Sequence, residues 1–150
     1  MTTETEKYQD NDELGLYLTI IESATVTFSP TRTIEFKIIR PFDHSETVLL
    51  YNSGTLTFKG VYQANLELTN EVYEYPEFYR SAILDDSKLL RDTVAKLQGL
   101  GKTSKNKLKH YYLYIDQGNK EMEVHIICEA HELTRETETK LLTEFKGLDE

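Results

Sequence analysis

The sequence predicts an α+β fold whose main element is an antiparallel, curved sheet. Apolar and polar residues alternate over several long segments, as they do in half-buried strands. The alternation stops after Pro76 and resumes on both sides of a Gly118–Asn119 turn signal, so strands precede and follow a helical insert near 76–98. We expect a partly closed barrel or a two-sheet sandwich, with a short C-terminal helix.

The domain organisation follows from length and polarity. A chain of 150 residues has the usual size of one domain. Residues 1–12 are strongly polar, and we predict a disordered N-terminal tail there. Residues 13–150 contain no linker-like stretch and no repeat, so we predict a single α+β domain over this range.

The first two strands are predicted to form a hairpin. Even-numbered positions carry most of the apolar residues on both sides of the turn-rich Ser29–Thr33 segment. A three-residue loop at 30–32 places Phe28 opposite Ile34 and Val26 opposite Phe36. A two-residue loop would instead separate the two apolar faces, because a shift of one residue turns every side chain over.

The middle of the chain predicts two more strands. A short apolar strand at Thr47–Tyr51 precedes a tight-turn signal at Asn52–Gly54. The next alternating run, from Leu56 to Leu68, contains Gly60, where the strand could bend or bulge.

Two helical regions are predicted. Pro76 suits the first turn of a helix, Asp85–Ser87 offers N-cap residues, and Gly99 offers a C-cap. These residues predict one broken helix or two consecutive helices over about 76–98. A cap at Thr134 followed by apolar residues near Phe145 predicts the short terminal helix.

The final hairpin has the best-defined register. Closing it at Gly118–Asn119 pairs three sets of apolar residues: Tyr111 with Ile126, Leu113 with Val124, and Ile115 with Met122. The other face then pairs Tyr112 with His125 and Tyr114 with Glu123, with His110 diagonal to His125.

Composition excludes several classes of function. The chain has 26 acidic and 17 basic residues, a net charge of −9, and its one basic cluster is Lys102–Lys109, so nucleic-acid binding is not expected. No apolar stretch is long enough to span a membrane, and the N-terminus lacks the apolar region of a secretory signal. The single cysteine, Cys128, cannot form an intramolecular disulfide. We expect a cytoplasmic protein without membrane or nucleic-acid partners.

Histidine, tyrosine and glutamate residues share one face of the final hairpin. Imidazole and carboxylate groups bind zinc and transfer protons, so His110, His125 and Glu129 are candidates for a metal or acid–base site. Residues 125 and 129, however, lie too far apart along a strand to share one ion comfortably. We interpret the face, including Tyr112, as a ligand- or partner-binding surface or a polar outer face of stacked rings, and predict no catalytic residue, metal or cofactor.

A second candidate surface is the aromatic segment Tyr73, Tyr75, Phe78 and Tyr79, which alternates with glutamates. Clustered aromatic residues with an acidic rim can bind a protein partner, or they can seal the end of the sheet.

These observations favour a non-catalytic binding or protein-interaction module, with a protein partner or as a homo-oligomer. One alternative is a barrel-like protein that binds a small ligand in a cavity of the sheet. A third hypothesis is a metal-dependent enzyme that uses His110, His125 and Glu129.

Overall fold

Six strands and one helix make up the part of the chain that the structure, a computed structural model, describes: residues 12–44, 48–66, 76–102, 107–118 and 120–141. The elements are β1 (Thr19–Thr27), β2 (Thr33–His44), β3 (Val48–Ala64), β4 (Glu77–Leu84), α1 (Lys88–Gly99), β5 (Lys109–Asp116) and β6 (Glu121–Leu141). Among these residues no helix has the length and apolar character needed to cross a bilayer.

The strands form one antiparallel ring in the order β1-β2-β3-β6-β5-β4. A short seam closes it, where Thr19 lies opposite Phe78 and Ile20 opposite Glu77. Backbone hydrogen bonds from Leu18 N–H to the Phe78 carbonyl and from Ile21 N–H to the Pro76 carbonyl, both 2.8 Å, hold this seam. The prediction of a mainly antiparallel sheet within a single α+β domain is confirmed.

The final hairpin has the predicted register. Tyr111 lies opposite Ile126, Leu113 opposite Val124, and Tyr112 opposite His125. The prediction succeeded because the turn residues and the apolar pattern require the same pairing.

The first hairpin has the predicted faces but a different register. Val26 lies opposite Ile34 and Ala24 opposite Phe36, whereas Phe28 had been expected opposite Ile34. Strand β1 ends at Thr27, so Phe28 belongs to the connection. An even-numbered residue still faces an even-numbered residue, because the longer connection also contains an odd number of residues.

The predicted turn at Asn52–Gly54 is wrong, because β3 runs through it as one continuous strand. Gly54 has a packing role instead. A Cβ atom at this position would lie 1.8 Å from the Thr134 carbonyl oxygen of β6. Glycine therefore allows β3 and β6 to approach closely at this point of their antiparallel pairing.

Gly60 changes which residues of β3 face inwards. Its φ of +65° lies in the region that favours glycine. Before it, Leu56 and Phe58 face the core, and after it Val61 packs against the same core. Tyr62, which unbroken alternation would place on the same face as Phe58, packs instead with the apolar residues of α1.

The prediction of a helical insert over about 76–98 is half correct. The helix begins after its N-cap Ser87 as predicted, but residues 77–84 form β4. Both faces of β4 carry buried side chains, and a bulge between Phe78 and Arg80 interrupts its alternation. Its residues therefore lack the clear period of two by which a half-buried strand is recognised.

The predicted C-terminal helix is wrong over residues 134–141, where β6 continues to Leu141 and pairs with β3. The run Glu-Thr-Glu-Thr-Lys at 136–140 alternates charged and β-branched residues, a pattern that suits a strand. The remainder of the predicted helix, residues 142–145, lies outside the described residues.

Side chains fill the inside of the ring. Phe36, Phe58, Phe78 and Tyr111 are each at most 1% exposed. Their rings pack edge to face, with centroids 5.0 Å apart for Phe58 and Tyr111 and 5.7 Å apart for Phe36 and Phe78. Such aromatic packing supplies much of the apolar area that stabilises a small domain.

The segment before β1 covers one end of this core. The backbone N–H of Leu16 donates to Asp12 Oδ1 at 2.7 Å, and that of Leu14 donates to Ser81 Oγ at 3.0 Å. Both leucines are buried. Asp12, the last residue of the predicted tail, therefore belongs to the fold, whereas residues 1–11 lie outside the described part of the chain.

Candidate functional site

His110 lies at the start of β5, on the outward face of the sheet beside the N-terminus of α1. It is 2% exposed and lies opposite Leu84 of β4 and Ile127 of β6. A polar ring at this depth needs hydrogen-bond partners for its nitrogens.

Both ring nitrogens of His110 have such partners. Its Nδ1 lies 2.7 Å from Ser87 Oγ, and its Nε2 lies 2.8 Å from His125 Nδ1. His125 Nε2 in turn lies 3.7 Å from Glu123 Oε2. We call Ser87, His110, His125 and Glu123 the histidine chain; it leads from the buried helix cap to a partly exposed carboxylate.

One arrangement of protons satisfies the whole histidine chain. The Leu90 backbone N–H donates to Ser87 Oγ at 3.0 Å, which leaves the Ser87 hydroxyl free to donate to His110 Nδ1. The Nε2–H of His110 then donates to His125 Nδ1, and the Nε2–H of His125 points to Glu123. The two imidazoles therefore tie the first turn of α1 to the sheet.

Asn65, which follows β3, fixes the backbone of His125. The His125 N–H donates to Asn65 Oδ1 at 2.7 Å, and the Asn65 N–H donates to the His125 carbonyl at 3.2 Å. The Asn65 side-chain amide also donates to the Glu123 carbonyl at 3.2 Å. This asparagine holds β6 against the end of β3.

Tyr112 lies beside the histidine chain. It is 2% exposed, it packs with Ala82 and Leu84, and its ring centroid is 5.4 Å from that of His125. Burial raises the pKa of Tyr112 to about 12, so its hydroxyl stays protonated at neutral pH. The predicted pairing of His and Tyr rings across the strands is present, but this part of the face is enclosed.

Glu129 is placed apart from its predicted companions. The Tyr62 hydroxyl donates to Glu129 Oε1 at 3.4 Å, and the carboxylate beside His125 is that of Glu123. Among the residues whose placement the structure describes, no group of three His, Cys, Asp or Glu side chains is arranged to hold a metal ion. The geometry brings His110, His125 and Tyr112 together and leaves Glu129 elsewhere.

The aromatic segment is divided. Tyr73 and Tyr75 lie outside the described residues. Phe78 is fully buried in the core. Tyr79 faces outwards with its ring centroid 6.0 Å from that of Tyr17, and burial and a hydrogen bond to Asp116 raise its pKa.

Cys128 and His131 lie on the inward side of β6. The Tyr111 hydroxyl lies within hydrogen-bond distance of His131 Nδ1, at 2.8 Å, and burial lowers the pKa of His131, which keeps this imidazole neutral. Burial raises the pKa of Cys128 to about 12. The thiol is therefore a poor nucleophile and fills space in the core.

An open cleft lies at the Val61–Ala64 end of β3. Its volume is about 380 Å³, and its lining is mainly apolar but includes the polar Thr33 and Gln63 and the charged Arg32. Three apolar side chains on its rim are solvent-exposed: Phe28 by 72%, Val26 by 48% and Leu66 by 37%. We call these three residues the mouth surface.

The edge of β1 continues the mouth surface. Of the described strands, only β2 pairs with Ser23–Thr27, since β4 meets β1 at Thr19 and Ile20. The segment from Ser23 to Thr31 carries no charged residue. A bare strand edge and an exposed aromatic ring therefore lie together on a chain that is otherwise rich in acids.

The sequence pointed to three members of the enclosed site and missed Glu123 and Asn65 as partners of His125. Ser87 was recognised as a helix cap, but its bond to His110 depends on how α1 packs. Comparison of the chain with family models, with curated proteins and with solved structures finds no match.

Proposed function

We propose that the chain is a non-catalytic protein-interaction module that self-associates through its mouth surface and the adjoining edge of β1. The observation that carries the proposal is the 72% exposure of Phe28, beside two further exposed apolar side chains. Contiguous exposed apolar groups mark interaction surfaces, and an unpaired strand edge offers a row of hydrogen-bonding groups to another strand.

A second copy of the chain is the partner that the charge pattern favours. Each copy carries a net charge of −9, so most orientations bring carboxylates together. The Ser23–Thr31 segment avoids this because it is uncharged. Two β1 edges paired antiparallel about a two-fold axis would place threonine, valine and phenylalanine residues against one another.

The histidine-bearing face supports a non-catalytic role. The nitrogens of His110 are taken up by Ser87 and His125, and its ring is buried. A general base needs access to the proton that it removes. These side chains instead connect α1 to the sheet.

Two alternative functions receive less support from the geometry. A barrel that holds a ligand in its interior needs an open cavity there, and the described interior is packed with aromatic rings. A metal-dependent enzyme based on His110, His125 and Glu129 needs these three groups to converge, and Glu129 bonds to Tyr62 instead.

Multi-angle light scattering after size exclusion, over a range of protein concentrations, tests the proposal. We expect a dimer for the natural chain and a monomer for Val26→Lys, which puts a charge on the uncharged edge. Leu100→Lys is the matched control, because Leu100 is 64% exposed and follows α1. A natural chain that stays monomeric, or equal effects of the two variants, would contradict the proposal.

A further inference from the structure

A second cavity lies between α1 and the chain segment that enters β5. Its volume is about 480 Å³, within the range of small-molecule sites. It shares no lining residue with the cleft at the mouth surface. We call it the helix cavity.

The floor of the helix cavity is apolar. Leu90 and Leu108 are each 5% exposed, and the half-buried Val94 and Leu97 extend the floor along the helix. Hydrocarbon placed on this floor would leave water, which favours binding by roughly 25 cal/mol for each Å² removed from solvent.

The rim of the helix cavity carries more positive than negative groups. Arg91 bonds to Asp86 at 2.6 Å, and Asp85 is the other acid. Lys102 and Lys107 also lie on the rim, and neither forms an ion pair with another residue that the structure describes. Long lysine side chains can lie along apolar surface while the ammonium groups reach an acidic group.

We propose that the helix cavity binds a small anionic amphiphile: a hydrocarbon body on the Leu90–Leu108 floor and one carboxylate head group between Lys102 and Lys107. Two available ammonium groups on a chain of net charge −9 favour an anion at this place over a cation. The inference does not rest on self-association, because the two surfaces are separate.

Calorimetric titration with decanoate, decylamine and decanol, below the concentrations at which they form micelles, tests the head-group requirement. We expect decanoate to bind and decylamine not to bind, with decanol weaker than decanoate. Backbone amide shifts in the NMR spectrum should move at α1 and Leu108. Absence of decanoate binding, equal binding of decylamine, or shifts confined to Val26 and Leu66 would overturn the proposal.

Two variants locate the binding groups. Lys102→Glu with Lys107→Glu should weaken decanoate binding by about tenfold or more, since two favourable charges become unfavourable. Lys37→Glu with Lys120→Glu is the matched control, because both lysines are exposed, lie outside the cavity and change the net charge equally. Equal losses in the two double variants would overturn the assignment.

Val94→Trp provides an independent test, because it fills the cavity and leaves its charges unchanged. Decanoate binding should be lost while the circular dichroism spectrum and the oligomeric state remain those of the natural chain. Full binding by a folded Val94→Trp variant would place the ligand elsewhere. Loss of the dimer in Val26→Lys with intact decanoate binding would separate this inference from the proposed function.

Discussion

Strands β5 and β1 belong to the same ring and have opposite environments. His110, Tyr111, Tyr112 and Leu113 of β5 are buried in succession, so both faces of the strand are covered. Strand β1 is exposed on both faces from Glu22 to Thr27. Strand β5 has a neighbour on each edge and packed groups on each face, whereas this part of β1 pairs only with β2.

This difference shows that alternation in a sequence assigns side chains to the two faces of a strand but does not predict how far each face is buried. The polar outward residue His110 of β5 is enclosed, and its ring nitrogens find their hydrogen-bond partners within the histidine chain. The apolar residues Val26 and Phe28 remain exposed and are available to a partner. The buried polar side chains of β5 are therefore part of the packed fold, whereas the exposed apolar side chains of β1 belong to the surface proposed for self-association.

Two phenylalanines, one buried and one exposed, give the strongest test of this comparison. Phe58→Ala should lower the free energy of unfolding by about 3–5 kcal/mol, because a fully buried ring leaves a cavity. Phe28→Ala should change it by less than about 0.5 kcal/mol, because this ring is exposed. Urea denaturation at a concentration where the chain is monomeric measures both. Comparable losses would contradict the described exposure of Phe28.

A smaller effect is expected within the histidine chain. His110→Ala should cost about 2–4 kcal/mol of unfolding free energy, since it removes a buried ring together with its hydrogen bonds to Ser87 and His125. His125→Ala should cost about 1 kcal/mol, because its side chain is 25% exposed. The same denaturation assay compares the two variants. A loss of stability in His125→Ala as large as in His110→Ala would contradict the larger contribution assigned to His110 within the histidine chain.

The smallest expected effect is a pH dependence at His131. Burial lowers its pKa in the folded state, so the unfolded chain takes up a proton first as the pH falls below about 6.5. This contribution to stability is therefore present above that pH and is lost as the pH falls through the folded-state pKa. His131→Gln keeps an acceptor for Tyr111 and should lose less stability between pH 7 and pH 5 than the natural chain. Equal losses of stability in the variant and in the natural chain over this pH range would contradict a lowered pKa of His131 in the folded state.

The parts of the fold that sequence could predict are those where two local signals agree. At the final hairpin, turn residues and apolar faces require one register, and the structure has it. At the first hairpin the apolar pattern specified only which face each side chain lies on. Even-numbered residues therefore lie opposite even-numbered residues as predicted, but the individual pairs differ. Strand β4 was missed because it carries buried residues on both sides and a bulge, which removes the period that distinguishes strand from helix.

The candidate site was predictable only within single elements. The pairing of Tyr112 with His125 follows from hairpin register, and Ser87 from capping preference. The bond between Ser87 and His110 depends on the docking of α1, and Asn65 reaches His125 through the pairing of β3 with β6. Contacts between elements distant in the chain leave no local pattern to read.

The long pairing of β3 with β6, which Gly54 allows to be close, has a consequence for how the molecule folds. These strands pair from Ala64 with Ile126 to Val48 with Leu141, so every contact between them closes a long loop. Loops of this kind slow folding, because the entropy of closure is lost before the contacts form. Synthesis delivers β3 well before β6, and one edge of β3 waits unpaired while β4, α1 and β5 are made. During that interval the core residues Leu56 and Phe58 lack their β6 neighbours Leu133 and His131.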